Sequence, residues 1–425
     1  MQRYIDKLLK VQNEYLKNIF TLILGTGSAQ LIPILILPIL TRLYTPADFG
    51  VFGGFAAATA LLAIMATFKY DVAIIQPIEN SDADQVFKLS IFTALIFTLC
   101  LYILLLILDN KIIDFTGYYG IIFLIPITSL IISFNSSFTY LLNRKKLYKR
   151  MSLNKILQSL LVGIISLVLG YLNSGYLGLV VGYIIGSFFV TLILFFKYWR
   201  SVEKGIALRM FDMAKIYRSY PLYSLPSGIS NVSANQLPLI LLTKIFNADV
   251  AGFYFLVHRI LSAPIMLISS SVGLVFRQYA HSDRIRTGTY SKIYVTTLKK
   301  LCFIGLPFFI IVGLFGEEIF SLIFGSEWKF AGLYAQILSP MFFLKFAIFP
   351  LLSSFNVSDK LKIDFIGQFI HMLSIILALL IGYFYNSDLY TVIFISIMGS
   401  IFYLTFLFMS YKLSKQINEE SFFNN

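Results

Sequence analysis

The chain has 425 residues, of which 58% are hydrophobic and 13% charged, with a formal net charge of +13. About a quarter of residues are charged in a soluble domain, so this balance excludes one and predicts an all-α integral membrane protein. The basic residues are dispersed over several short loops, which excludes a nucleic-acid partner and makes the charge a topology signal.

Residues 1–18 place Tyr4, Leu8, Val11 and Tyr15 at helical spacing, with Arg3, Lys7, Lys10 and Lys17 elsewhere on the surface. That pattern predicts a helix lying on the cytoplasmic leaflet. The apolar run from Ile19 to Leu40 exceeds a signal-peptide core, which spans about 7 to 15 residues, and should stay as a membrane span. A helix needs about 20 apolar residues to cross a bilayer. On that rule about 12 transmembrane helices are expected, at 19–41, 47–68, 86–108, 119–142, 152–170, 176–197, 219–243, 250–275, 294–315, 330–354, 363–385 and 389–411. The connections are too short to fold into a soluble domain. Cys100 and Cys302 both sit in apolar runs and read as buried small apolar residues, so neither a disulfide framework nor a metal site is expected.

Of the 34 Lys and Arg, only Arg42, Lys111, Lys244 and Lys329 fall on the face opposite the N-terminus, and Arg259 and Lys345 fall within spans. The asymmetry places both termini in the cytoplasm. The run RKKLYKR at 144–150 belongs to this signal and could also hold anionic lipid head groups. Trp199 and Trp328 fall at span ends, as an aromatic belt would have them.

Two connections nearly repeat each other. TRLYTPADFGVF at 41–52 aligns without a gap on TKIFNADVAGFY at 243–254, Thr41 on Thr243, Arg42 on Lys244, Gly50 on Gly252 and Phe52 on Tyr254. Six spans lie between equivalent points, and an even number restores orientation, so the halves would be parallel repeats. The bland alternative is that short turns resemble one another because Gly, Asp and Pro end helices for general reasons. The expected organisation is an N-terminal lobe at 19–197, a cytoplasmic linker at 198–218, a C-terminal lobe at 219–411 and a cytoplasmic tail at 412–425, with the two six-helix lobes around a central cavity.

Polar groups within spans point to sites of use. In span 7, Ser224, Ser227, Asn231 and Asn235 recur at helical spacing on one face, and Pro221, Pro226, Pro238 and Gly228 should bend that helix. A bent helix with a polar stripe suits a cavity wall, the alternative being a helix seam glued by Ser and Asn. A charge at the bilayer centre costs from about 2.5 kcal/mol upward, so Arg259, with His258 beside it, and Lys345 are expected to face the interior. Neither has a mid-span carboxylate partner, which suggests an anionic ligand. Snorkelling to an interface is the other reading of Lys345.

Lys69 and Asp71, in FKYDVAIIQP at 68–77, are read as closing the cytoplasmic end of span 2, with a gate salt bridge to another helix as the alternative. Asp82-Ala-Asp84 is a D-x-D in a short loop with no soluble domain around it, and the chain has neither H-E-x-x-H nor G-x-S-x-G. No catalytic residue is assigned and the protein is not expected to be an enzyme.

RLYTPADFGVF after span 1 and FKYDVAIIQP at the end of span 2, with the basic loop after span 4 and the polar span 7, resemble the Wzx-type oligosaccharide flippases. These form the polysaccharide-transport branch of the MOP exporter superfamily, which also includes lipid II flippases and MATE drug exporters. The resemblance implies alternating access in a bacterial inner membrane. It further implies an undecaprenyl-pyrophosphate-linked oligosaccharide as cargo, moved from the cytoplasmic to the periplasmic leaflet for O-antigen or another surface polysaccharide, with other polysaccharide-assembly membrane proteins as partners. Arg259 and Lys345 would meet the pyrophosphate or acidic sugars, and the span 7 stripe would meet sugar hydroxyls. A MATE-like drug exporter is the alternative, though cationic drugs call for buried carboxylates. No cofactor is expected, and a coupling ion, H+ or Na+, stays unassigned; His258 and His371 could titrate near neutral pH, a packed core histidine being the equal alternative for each.

Overall fold

The computed structural model describes residues 27, 29–107, 119–202, 207–358 and 360–416. The interfacial helix expected over 1–18, the first part of span 1 and Lys111 lie outside them. Among the described residues the chain is helical and contains no strand.

Among the described residues, ten helices are long and apolar enough to cross a membrane. They occupy spans 2 to 6 at Pro46–Ala66, Asn80–Ile107, Gly120–Arg144, Tyr148–Tyr171 and Tyr176–Tyr198, and spans 8 to 12 at Ala248–Ile268, Ser291–Phe324, Ser326–Phe355, Lys362–Tyr385 and Asp388–Lys415. The apolar helix Ala29–Leu43 lies at span 1 and Leu225–Ile245 at span 7. Span 7 falls short on apolarity because Ser227, Ser230, Asn231, Ser233, Asn235 and Gln236 dilute it.

Two helices outrun their apolar stretches. Span 8 belongs to a 40-residue helix, Ala248–Thr287, closed by Gly288 at φ 75°, where glycine carries the left-handed turn that ends a helix. Span 9 continues past its expected end to Phe324, with a break at Phe315. Hydropathy registers where a helix leaves the apolar slab, and the backbone continues wherever its residues still favour helix. The linker at 198–218 contains the helix Ala207–Ile216. That helix packs on Asn80–Ile107, and its Met213 joins a core with Phe87, Phe138 and Tyr198.

The chain forms two compact units, residues 1–43 with 55–229 and residues 44–54 with 230–425. Within the first, polar pairs tie helices together: Ser90 donates to Ser137 at 2.9 Å, Gln158 to Ser187 at 3.0 Å and Asn135 to Thr191 at 3.3 Å. Such bonds are worth about 0.6 kcal/mol each between membrane helices. Within the second, Tyr290 and Tyr294 bond the hydroxyls of Ser358 and Ser410 at 2.8 and 2.7 Å.

Burial corrects two sequence expectations. Cys100 is exposed and Cys302 only half-buried. Trp328 is 0% exposed, packed edge-on against Phe49 at 5.2 Å and Phe253 at 6.1 Å. It is an aromatic core residue and not a belt anchor, whereas Trp199 is 38% exposed and stacks on Phe195.

The repeated connections have one construction. In the first, the backbone N–H of Thr45 donates to Asp48 at 2.9 Å and that of Asp48 to the Thr45 hydroxyl at 3.2 Å. This is a reciprocal capping box, with Pro46 at the first helical position and Tyr44 packed edge-on against Phe49 as its staple. Burial, and after it the Asp48 carboxylate, push the Tyr44 phenol up to about 12, so the staple ring stays neutral. In the second, the Asn247 side chain, equivalent to Thr45, accepts from the N–H of Val250 at 2.9 Å. The two helix starts then cross at Gly50 and Gly252. A methyl on Gly50 would strike the carbonyl of Ala248, and one on Gly252 would strike the carbonyl of Pro46. Pro46 and Ala248 are themselves equivalent positions, so the contact is reciprocal under the same alignment as the sequence repeat.

Candidate functional site

Span 7 carries its polar stripe across both units. In the second unit, Lys345 donates from Nζ to Asn235 Oδ1 at 2.9 Å and lies over the Phe342 ring at 5.4 Å. Asn235 donates to the Asn231 carbonyl at 2.9 Å, and Asn231 donates to Gln368 Oε1 at 3.1 Å. Gln368 in turn reaches Asp364 at 3.5 Å. This half of the stripe therefore ties spans 7, 10 and 11 through one continuous polar network.

Around Lys345 the same unit forms a small, partly open cavity lined also by Asn235, Tyr254, His258, His371 and Tyr403, with a volume of about 20 Å³, room for one water. His258 packs edge-on against Phe342 at 5.7 Å. His371 stacks on Phe402 at 4.1 Å and 8°, and its Nδ1 is buried without a hydrogen-bond partner among the described residues. The lining contains no carboxylate. A sugar or phosphate does not fit in this volume, so Lys345 acts here as an internal tie. Arg259 differs: although next to His258, it is exposed.

In the first unit, Ser224 is exposed and Ser227 half-buried. Asp71 is buried and accepts from Thr67 Oγ1 at 3.0 Å and Ser136 Oγ at 2.7 Å. These bonds lock the end of span 2 onto span 4, and no ion pair joins Asp71 to Lys69 among the described residues. Arg144, the first residue of the basic run, points inward. Its guanidinium donates to the carbonyls of Ile74, Ile75, Pro77, Ile78 and Glu79 and to the Asn80 side chain, at 2.6 to 3.4 Å. Arg150 donates to the Tyr198 hydroxyl at 2.7 Å. Two of the run's cations are thus consumed in structure, while Lys145, Lys146 and Lys149 are exposed; Arg144, Lys145 and Lys146 border a cleft of about 440 Å³ with Asn80 and Asp84. Asp82 lies in the first turn of Asn80–Ile107, where a carboxylate complements the helix N-terminus.

The structure brings Asn235, His258 and Lys345 together and leaves Ser224, Ser227, Lys69 and Asp71 in the other unit. Tyr254, Tyr403 and Gln368 carry no sequence signal, being one aromatic or amide among many, and His371 joins the cavity from a span otherwise unremarked.

Residues 39–331 match the family described as polysaccharide biosynthesis protein. No curated protein matches the chain by sequence. Among solved structures the chain is similar to the lipid II flippase MurJ in an inward closed conformation, at 15% identity and a TM-score of 0.71, covering 94% of this chain and 88% of that one. It is also similar to the MATE multidrug transporter DinF-BH, at 16% identity and a TM-score of 0.66 over 96% of each chain. An inward-facing MATE family multidrug resistance transporter of the MOP superfamily matches at 15% identity and 0.63 over 93% and 94%. Likeness at these identities is one of fold. The all-helical, many-span architecture expected from the resemblance is the one observed.

Proposed function

Because the chain belongs to the polysaccharide biosynthesis protein family, we propose that it is a flippase for a lipid-linked saccharide. Its cargo would be an undecaprenyl-pyrophosphate-linked oligosaccharide, carried by alternating access from the cytoplasmic to the periplasmic leaflet of a bacterial inner membrane, for O-antigen or another surface polysaccharide. The observation that carries this reading is the family match over 39–331, which includes both repeated connections, the FKYDVAIIQP segment and Arg259. The MOP fold supports it, since one of the similar structures is a lipid II flippase.

Charge supports it as well. Arg259, a cation within span 8, is exposed. Drug export of cations would call for a carboxylate facing the ligand. The buried acid Asp71 is instead occupied by two hydroxyls.

Reconstitution tests the reading. Liposomes containing the purified chain and a fluorescent undecaprenyl-pyrophosphate oligosaccharide should show protein-dependent movement of the label between leaflets, measured by its accessibility to a membrane-impermeant quencher. Movement of a cationic dye with no movement of the oligosaccharide would replace the reading with drug export.

A further inference from the structure

Two irregular stretches of backbone meet within the first unit. Span 2 ends in Phe68 and Lys69, consecutive non-glycine residues at φ 49° and 63°, a left-handed conformation that side chains disfavour. The chain then resumes helix at Tyr70–Ala73. That helix packs against Tyr220–Ser224, where span 7 begins with a π-helical turn. Strained residues and π turns concentrate at functional sites, and interrupted helices in transport proteins present their groups to charged ligands.

Lys69 is the group this geometry presents. The end of its side chain crosses span 7 at Gly228, where a methyl built on the glycine would stand 2.7 Å from Cε and 3.3 Å from Nζ. Among the described residues Lys69 has no hydrogen-bond or ion-pair partner. The nearby acid, Asp71, is already occupied by Thr67 and Ser136. An ammonium carries three donors and no acceptor, and it lies here at Gly228, one residue after Ser227 and four after Ser224 in the sequence.

The strain has a physical role in this arrangement. Asp71, just after the left-handed pair, is bonded back to Thr67 just before it and across to Ser136, and Arg144 clasps the carbonyls that follow. The fold thereby spends conformational energy on the placement of one cation.

We infer that Lys69, with Ser224 and Ser227, forms a phosphate-recognising subsite at the broken end of span 2, which takes the diphosphate of a lipid-linked saccharide. The inference rests on the flippase reading for the identity of the lipid and on the geometry for the phosphate. The ammonium supplies the charge-assisted bond, and the hydroxyls donate to the remaining oxygens.

The full-length chain in nanodiscs, titrated with farnesyl diphosphate, tests it. Lys69→Gln is expected to weaken binding about tenfold, the size of one lost charge-assisted hydrogen bond. Gly228→Ala should weaken it similarly with Lys69 still present, because the new methyl displaces only the movable end of that side chain. Lys69→Arg should retain most of the affinity, and inorganic pyrophosphate should compete. Unchanged farnesyl diphosphate affinity in Lys69→Gln, at the melting temperature of the unmodified chain, overturns the subsite and leaves the flippase reading standing. Nanodiscs of phosphatidylglycerol supply the second arm. If Lys69→Gln weakens enrichment of phosphatidylglycerol around the protein, and farnesyl diphosphate binds no tighter than that lipid, the phosphate subsite holds but its occupant is a membrane head group, and the saccharide-diphosphate assignment falls. Absence of binding to either probe by the unmodified chain overturns the subsite.

Discussion

Gly50 and Gly252 face each other across one helix crossing, the position of a side chain on each lying 2.9 and 3.1 Å from the other's backbone nitrogen. Small residues let membrane helices approach backbone to backbone, where packing replaces the hydrophobic drive that lipid removes. Because each glycine would meet the other helix's carbonyl, relief by side-chain movement is closed off. Gly50→Ala and Gly252→Ala should each cost about 1–3 kcal/mol and lower the melting temperature in detergent. The double substitution should cost less than the sum, since both act on one crossing. Unchanged melting of either single variant would refute the contact.

The two helix caps provide a milder test. Thr45→Ala and Asn247→Ala remove equivalent side-chain acceptors, each worth about 1 kcal/mol. The expected result is a small, similar fall in melting temperature for both, with the chain still inserted. A cap that could be removed without loss at one position only would mark the repeats as energetically unequal.

Asn235 and Lys345 should respond asymmetrically. Lys345→Met exchanges a buried cation for an apolar side chain of similar length and should be close to neutral in stability. Asn235→Leu removes the ammonium's acceptor while keeping the charge, and should cost about 2 kcal/mol or more. Thermal unfolding of the two variants reads the difference directly.

Arg144→Ala should release the segment 74–80 from its shared guanidinium, and Arg144→Lys should fail to restore it, because an ammonium lacks the planar fork that spans several carbonyls. The measurement is labelling of a cysteine placed at the buried Ile74, expected to react faster in both variants. Equal rates would show that the clasp is dispensable.

Arg259→Ala should abolish delivery of surface glycan while leaving membrane insertion intact, measured by glycan staining and by the amount of protein in the membrane fraction. Normal glycan in that variant removes Arg259 from the transport path. Reporter fusions after residues 45, 248 and 387 should all report the external face, and a cytoplasmic signal from any of them breaks the twelve-span order.

Much of the fold was legible because lipid imposes a simple rule. A backbone in hydrocarbon must satisfy its own hydrogen bonds, so apolar length located ten of the helices among the described residues. The repeated connection was legible for the same reason, since a cap, a proline and a glycine at set spacing each answer a backbone requirement. Other features depended on partners distant in the chain. Trp328 sits at a span end, yet Phe49 and Phe253 bury it. Arg144 opens a basic run that reads as a topology signal, yet carbonyls some seventy residues earlier engage it.

The sequence by itself determined the solvent in which the chain folds and the places of ten long apolar helices among the described residues, because these follow from composition and local backbone chemistry. Tertiary structure alone decided which polar groups are spent internally and which stay available. Asn235 and Lys345 neutralise each other's need, Asp71 is taken by two hydroxyls, and Lys69 is left with its ammonium over Gly228. A polar side chain's role is set by what stands within hydrogen-bonding distance, and in this chain those partners come from other helices.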